Sequence, residues 1–164
     1  MKNENNTIKY VTGNMFTDNQ PEEGRAVPVI PVNTVGVPGA GLAKQWAIKY
    51  PEQAKKYKGF CNQKIFRDPM FIKSGLSPDK DWDTLCMLFP TKGDWRNPST
   101  MKQLKAGLAV LVRRKSMFFN KDDYVAWPKL GCGLGGLKWE EVRPIMLEAI
   151  EQFEGTHLIY GEKQ

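Results

Sequence analysis

Two glycine-rich segments, each leaving an apolar run and entering a helix signal, constrain this chain more than any other feature. The first reads Val32-Asn33-Thr34-Val35-Gly36-Val37-Pro38-Gly39-Ala40-Gly41-Leu42-Ala43. Its glycines permit positive φ and let the backbone approach a ligand closely. The helix that follows offers unpaired N–H groups and the positive end of its dipole, which together suit an anion. The second reads Pro128-Lys129-Leu130-Gly131-Cys132-Gly133-Leu134-Gly135-Gly136-Leu137. Gly131, Gly133 and Gly136 satisfy the GxGxxG spacing of a dinucleotide site. Two features oppose that assignment. Only 28 residues follow Gly136, whereas such a motif opens its domain, and the available acids, Glu154 and Glu162, are badly placed for a ribose. The GxxxxGK[ST] pattern is absent from both segments. What remains is two backbone nests able to hold a diphosphate between them.

Around these segments, strand and helix signals alternate. Ile8–Val11 reads as a short strand, and Ala26–Val32 as a buried one that Pro28 and Pro31 weaken. Helices are expected from Leu42 to Tyr50 and from Pro51 to Lys58, the second opened by its proline. Met70–Lys73 and Leu85–Phe89 read as strands, separated by a turn-rich loop at Ser77–Asp81. Asn97-Pro98-Ser99 is a helix start by its capping side chain and proline. Met101, Leu104, Leu108, Leu111 and Val112 then form an apolar stripe. Val125–Trp127 is a strand. Val142, Ile145, Met146, Ala149, Ile150 and Phe153 form a second stripe, with Glu140 and Glu141 at its positive end. Pro144 predicts an irregular or kinked first turn there. His157–Tyr160 closes the chain as a strand. This alternation predicts an α/β sandwich around a mostly parallel or mixed sheet.

At 164 residues the chain is expected to form one domain, 1–164. Its 41% apolar content excludes disorder. The sequence has no apolar run long enough to span a membrane and no signal-peptide core, so a soluble, cytoplasmic protein is expected. The three cysteines form no CxxC or Cys/His ligand spacing, so no metal is called for. The lone histidine, His157, is expected to have no catalytic role. The formal charge of +6 is uneven: residues 44–73 carry +6 and 74–120 carry +4, while both flanks are mildly acidic. That middle stretch is either a phosphate-facing surface or a solvated face.

The two loops, in this order, resemble those of a macrodomain, the ADP-ribose-binding α/β/α module. Thr12-Gly13-Asn14-Met15-Phe16 is similar to the family's adenine corner, although Asn14 stands where an acid is usual. Asn33 and the Gly39-Ala40-Gly41-Leu42 turn look like the first ligand loop. Gly131-Cys132-Gly133-Leu134-Gly135-Gly136 looks like the phosphate loop. The resemblance covers nearly the whole chain. VNTVGVPGAGLA, FPTKGDWRNPS and PKLGCGLGGLKWEEVRP are most similar to DarG-type macrodomains, which group with the terminal ADP-ribose glycohydrolases. The aspartate that those glycohydrolases carry in the phosphate loop is Gly135 here, as in the DarG type.

The resemblance implies a three-layer α/β/α fold with a central mixed, mostly parallel sheet. It implies an enzyme, without cofactor, that removes ADP-ribose from nucleic acid, most simply from thymidine in DNA, while the short length and soluble composition suit a monomer. Two other readings stay open: a non-catalytic ADP-ribose-binding module, and a hydrolase of protein-linked ADP-ribose or ADP-ribose 1″-phosphate. The backbone of Gly39 to Leu42 and of Cys132 to Gly136 would clamp the diphosphate, and Asn33 would meet the distal ribose. The family's catalytic lysine falls on Lys92, acting either as a nucleophile or as a cation. Trp95 and Arg96 follow at once and are candidates for nucleic-acid contact. DarG antitoxins carry a further C-terminal domain that blocks the toxin, and at 164 residues none is expected in this sequence.

Overall fold

The computed structural model describes residues 2–73 and 85–161. The turn expected at Ser77–Asp81 lies outside them. Strands β1 (Asn6–Val11), β2 (Ala26–Asn33), β3 (Met70–Lys73), β4 (Leu85–Lys92), β5 (Tyr124–Trp127) and β6 (Gly155–Tyr160) form one six-stranded sheet in the order β1-β6-β5-β2-β4-β3. All pairings are parallel except β3 with β4. Helices α1 (Gly41–Lys49) and α2 (Pro51–Asn62) lie on one face. Helices α3 (Met101–Arg113) and α5 (Trp139–Ile150) lie on the other, with the single turn α4 (Lys115–Phe118) after α3. The three-layer α/β/α arrangement follows, and among the described residues no helix is long and apolar enough to cross a membrane.

Both faces of the central strands are covered, so they read as unbroken apolar runs. Alternation persists beneath that uniform appearance. Leu85, Met87 and Phe89 of β4 enter the core under α3 and α5, while Cys86 and Leu88 enter the core under α1 and α2. The larger core carries a stack of Phe119 on Phe153 at 4.4 Å between ring centroids. Gly107 of α3 lies directly on the Phe89 ring, where a Cβ would collide. That contact lets the helix settle on the sheet.

Three local expectations are corrected. β2 runs through both prolines, and its ladder with β5 covers only Ala26 to Pro28, ending where the first donor is lost. α5 runs through Pro144 without a break. The carbonyl deprived of its donor belongs to Glu140, an exposed residue in the first turn of the helix. α3 does not start at Asn97-Pro98-Ser99. Its cap is Thr100, whose hydroxyl accepts from Gln103 N at 3.1 Å. Ser99 is drawn away by another partner: its N–H donates to the Gly135 carbonyl at 2.9 Å.

Candidate active site

Ligands of parallel α/β sheets sit beyond the carboxyl ends of the strands. There the chain opens a cleft of ≈ 1030 Å³, lined from five of those ends: Gly13 and Met15 after β1; Asn33, Val37 and Gly39 to Ala43 after β2; Thr91, Lys92, Trp95, Arg96 and Ser99 around the end of β4; Pro128, Lys129 and Gly131 to Gly135 after β5; and Tyr160 with Gly161 at β6. Among the described residues three cations line it, Lys92, Arg96 and Lys129, and no carboxylate does. A site of this kind attracts an anion. It also leaves glycosidic chemistry without the usual pair of acids.

The first loop is built on one amide. Asn33 Oδ1 accepts from Val35 N at 3.2 Å, Gly36 N at 3.0 Å, Val37 N at 3.2 Å and the Tyr57 hydroxyl at 2.8 Å. Its Nδ2 donates to the Val37 carbonyl at 2.8 Å. The Asn33 side chain therefore shapes the loop first, and of its polar groups only one amide hydrogen is left over for a ligand. Burial pushes the Tyr57 hydroxyl far above its ordinary range, so it stays a donor to Asn33. Past this bend the N–H groups of Gly39 to Ala43 have no protein acceptor among the described residues. Ala40, at the cap of α1, offers them no side chain, and the first turn carries no acid. These donors are open to an anion.

The second loop is held by backbone. Leu137 N donates to Gly131 O at 2.9 Å and Gly136 N to Gly133 O at 3.1 Å, with Gly131 and Gly136 at positive φ. The N–H groups of Gly133, Leu134 and Gly135 donate to no protein acceptor among the described residues. Cys132 is half-buried and burial raises its thiol pKa, which disfavours a thiolate. Its N–H donates to the Lys129 carbonyl at 3.2 Å, so neither Cys132 nor Gly136 supplies the open donor expected of it.

Lys92 ends β4 as the register partner of Asn33 in β2, and its carbonyl accepts from Thr34 N at 3.2 Å. The first loop and the lysine are thus fixed to one another. Trp95 is 49% exposed on the rim, with the Arg96 guanidinium 5.1 Å from its ring centre. Arg96 is otherwise tethered only loosely, 3.5 Å from Asp94.

Most of the expected residues converge here: Met15, Asn33, Gly39 to Leu42, Lys92, Trp95, Arg96 and Gly131 to Gly135. Asn14, Phe16 and Gly136 are not in the lining. Asn14 Oδ1 is turned inward to accept from Phe16 N at 2.8 Å, and Phe16 packs edge-on against Tyr50. Thr91, Ser99 and Lys129, which lie inside the quoted motifs but carry no expected ligand role, also line the cleft, as does Tyr160, for which the local sequence carries no signal. His157 lies away from it and is fully buried. Its Nδ1 accepts from Trp127 Nε1 at 2.9 Å, and burial lowers its pKa to about 4, so it is a neutral core residue.

A solved structure described as the macrodomain of Mycobacterium tuberculosis DarG superposes on this chain with a TM-score of 0.81 and 31% identity, covering 96% of this chain and 99% of that one. The chain belongs to the DarG-type macrodomains. A Thermus aquaticus protein described as a DNA ADP-ribosyl glycohydrolase is 34% identical over 92% of this chain, and this macrodomain spans 40% of its length. A solved Thermosipho africanus DarTG in complex with ADP-ribose matches with a TM-score of 0.76 and 30% identity, covering 96% of this chain and 43% of that one. No family model matches the chain. In this macrodomain the two glycine loops follow the neighbouring strands β5 and β2, and Lys92 ends β4 on the other side of β2.

Proposed function

We propose that this macrodomain is an ADP-ribosyl glycohydrolase that removes ADP-ribose from nucleic acid, with thymidine in DNA as the modified residue. The observation that carries the reading is the placement of Lys92 in a cleft whose two walls present unpaired backbone N–H groups. The two nests take the diphosphate, and its distal ribose is then directed toward the end of β4.

Cleavage breaks the bond from the anomeric carbon to the base, through a transition state of oxocarbenium character. Among the described residues Lys92 lines the cleft and no carboxylate does, which supports assigning the chemistry to Lys92. As a nucleophile its neutral amine attacks the anomeric carbon and the base departs with a proton. The glycosylamine opens by breaking its ring C–O bond to an imine, the form that borohydride reduces, and water otherwise hydrolyses it to ADP-ribose and the free amine. As a cation, the ammonium stabilises the charge that develops on the departing base while water attacks. Borohydride treatment during turnover separates the two, because only the first leaves ADP-ribose covalently attached to the protein. Trp95 and Arg96 on the rim suit a neighbouring base and phosphate of the strand. The reading takes residues 1–164 as a single domain that works as a monomer in the cytoplasm.

The decisive panel is an ADP-ribosylated thymidine oligonucleotide, an ADP-ribosylated protein and ADP-ribose 1″-phosphate. Release of ADP-ribose from the oligonucleotide alone is the expected result. Turnover of either other substrate, with the oligonucleotide left intact, would overturn the proposal.

A further inference from the structure

Several buried side-chain polar atoms have no hydrogen-bond partner among the described residues. Of these residues, only Ser99 lines the cleft. Ser99 is 5% exposed, and its Oγ is the unpartnered atom. A buried hydroxyl without a partner is unfavourable, because it has lost water and gained nothing. A fold retains such a group where the partner arrives later.

The surroundings say where that partner comes from. The Ser99 N–H holds the Gly135 carbonyl at 2.9 Å. A Cβ added at Gly131 would stand 3.3 Å from Ser99 Cβ, and a Cβ added at Gly135 would overlap Ser99 Oγ and the Gly131 carbonyl. The second loop is therefore wrapped around this one side chain, and Gly135 is glycine because the serine hydroxyl occupies the space. Lys92 lines the same cleft, seven positions earlier in the chain. Ser99 thus joins the segment that carries the lysine to the loop that offers its N–H groups.

We infer that Ser99 is a ligand-binding residue whose hydroxyl is paired only when the cleft is filled. A rotation about its Cα–Cβ bond turns Oγ from Gly135 toward the ligand. There it donates to an acceptor oxygen of the diphosphate–ribose portion lying on the second loop. The inference rests on the reading that the cleft takes ADP-ribose, and it adds a side-chain contact to a loop otherwise made of backbone.

The test is calorimetry with ADP-ribose on the wild type and on Ser99→Ala, together with thermal unfolding of both proteins without ligand. The expected result is an affinity about tenfold lower for Ser99→Ala, equivalent to about 1.4 kcal/mol. The ligand-free midpoint is expected to stay unchanged or rise, since an unpaired buried oxygen has been removed. An unchanged affinity overturns the inference. A lowered ligand-free midpoint also overturns it, whatever the affinity, because the hydroxyl would then be paired in the empty fold by protein or by a buried water. Failure of the wild type to bind ADP-ribose would instead overturn the reading of the cleft itself.

Discussion

The two glycine loops face one cleft and present the same kind of donor, yet they are built in opposite ways. The first is shaped by side chains that reach inward: one asparagine amide gathers three loop N–H groups and a tyrosine hydroxyl. The second is shaped by missing side chains, its glycines allowing the backbone to fold over Ser99. The difference teaches how each loop can fail. The first is vulnerable to losing atoms and the second to gaining them.

Asn33→Ala tests the first half of that statement and carries the largest expected effect on stability. It strips the acceptor from several donors in a buried bend, and a loss of about 3 kcal/mol is expected by denaturant unfolding. A variant within about 0.5 kcal/mol of the wild type would show that the loop does not depend on the amide.

Acidification of the core sets a scale outside both loops. His157 has a pKa of about 4 in the fold against an ordinary 6.5. The unfolded chain therefore takes up its proton first as pH falls. Stability is full above pH 6.5 and declines toward pH 4, by about 3 kcal/mol at most from this group. His157→Gln should flatten the stability profile in that window. A profile unchanged by the substitution would contradict the burial argument.

Gly135→Ala probes the second loop. The added methyl overlaps Ser99 Oγ and the Gly131 carbonyl, so the loop must shift. ADP-ribose affinity measured by calorimetry should fall about a hundredfold, or about 2.7 kcal/mol. By the same logic Cys132→Ala, which only removes atoms, should bind nearly as the wild type does. If the two variants behaved alike, the contrast between the loops would be lost.

Smaller effects sharpen the picture. Trp95→Ala should raise KM for a modified oligonucleotide about fivefold to tenfold, the worth of one base stack, and leave binding of free ADP-ribose unchanged. Tyr57→Phe removes one of several donors to Asn33 and is expected to cost about 1 kcal/mol of stability. A larger loss would mean that the hydroxyl, rather than the asparagine, organises the bend.

Much of this site was legible before any coordinates, because glycine spacing and strand–helix alternation are local signals. The two loops and the strands that deliver them fall where those signals place them, whereas Lys92 was singled out only by the family resemblance and lies three residues past the expected end of its strand, because β4 runs on to Lys92. What was not legible depends on contacts between distant segments. Nothing near Asn33 announces that Tyr57 will occupy its oxygen, so the residue looked free for a ribose. Ser99 carries the local signature of a helix cap, but its N–H is taken by a loop 36 positions away, and Thr100 caps instead. Lys129 and Tyr160 reach the cleft only because β5 and β6 end beside it.

The central claim is that the loops bind and Lys92 reacts. The direct measurement is single-turnover release of ADP-ribose from a modified thymidine oligonucleotide by Lys92→Ala, paired with calorimetry on the same protein. The account predicts release slowed by at least about a thousandfold, or about 4 kcal/mol of activation free energy, with ADP-ribose affinity within a few-fold of the wild type. Release at the wild-type rate would contradict it.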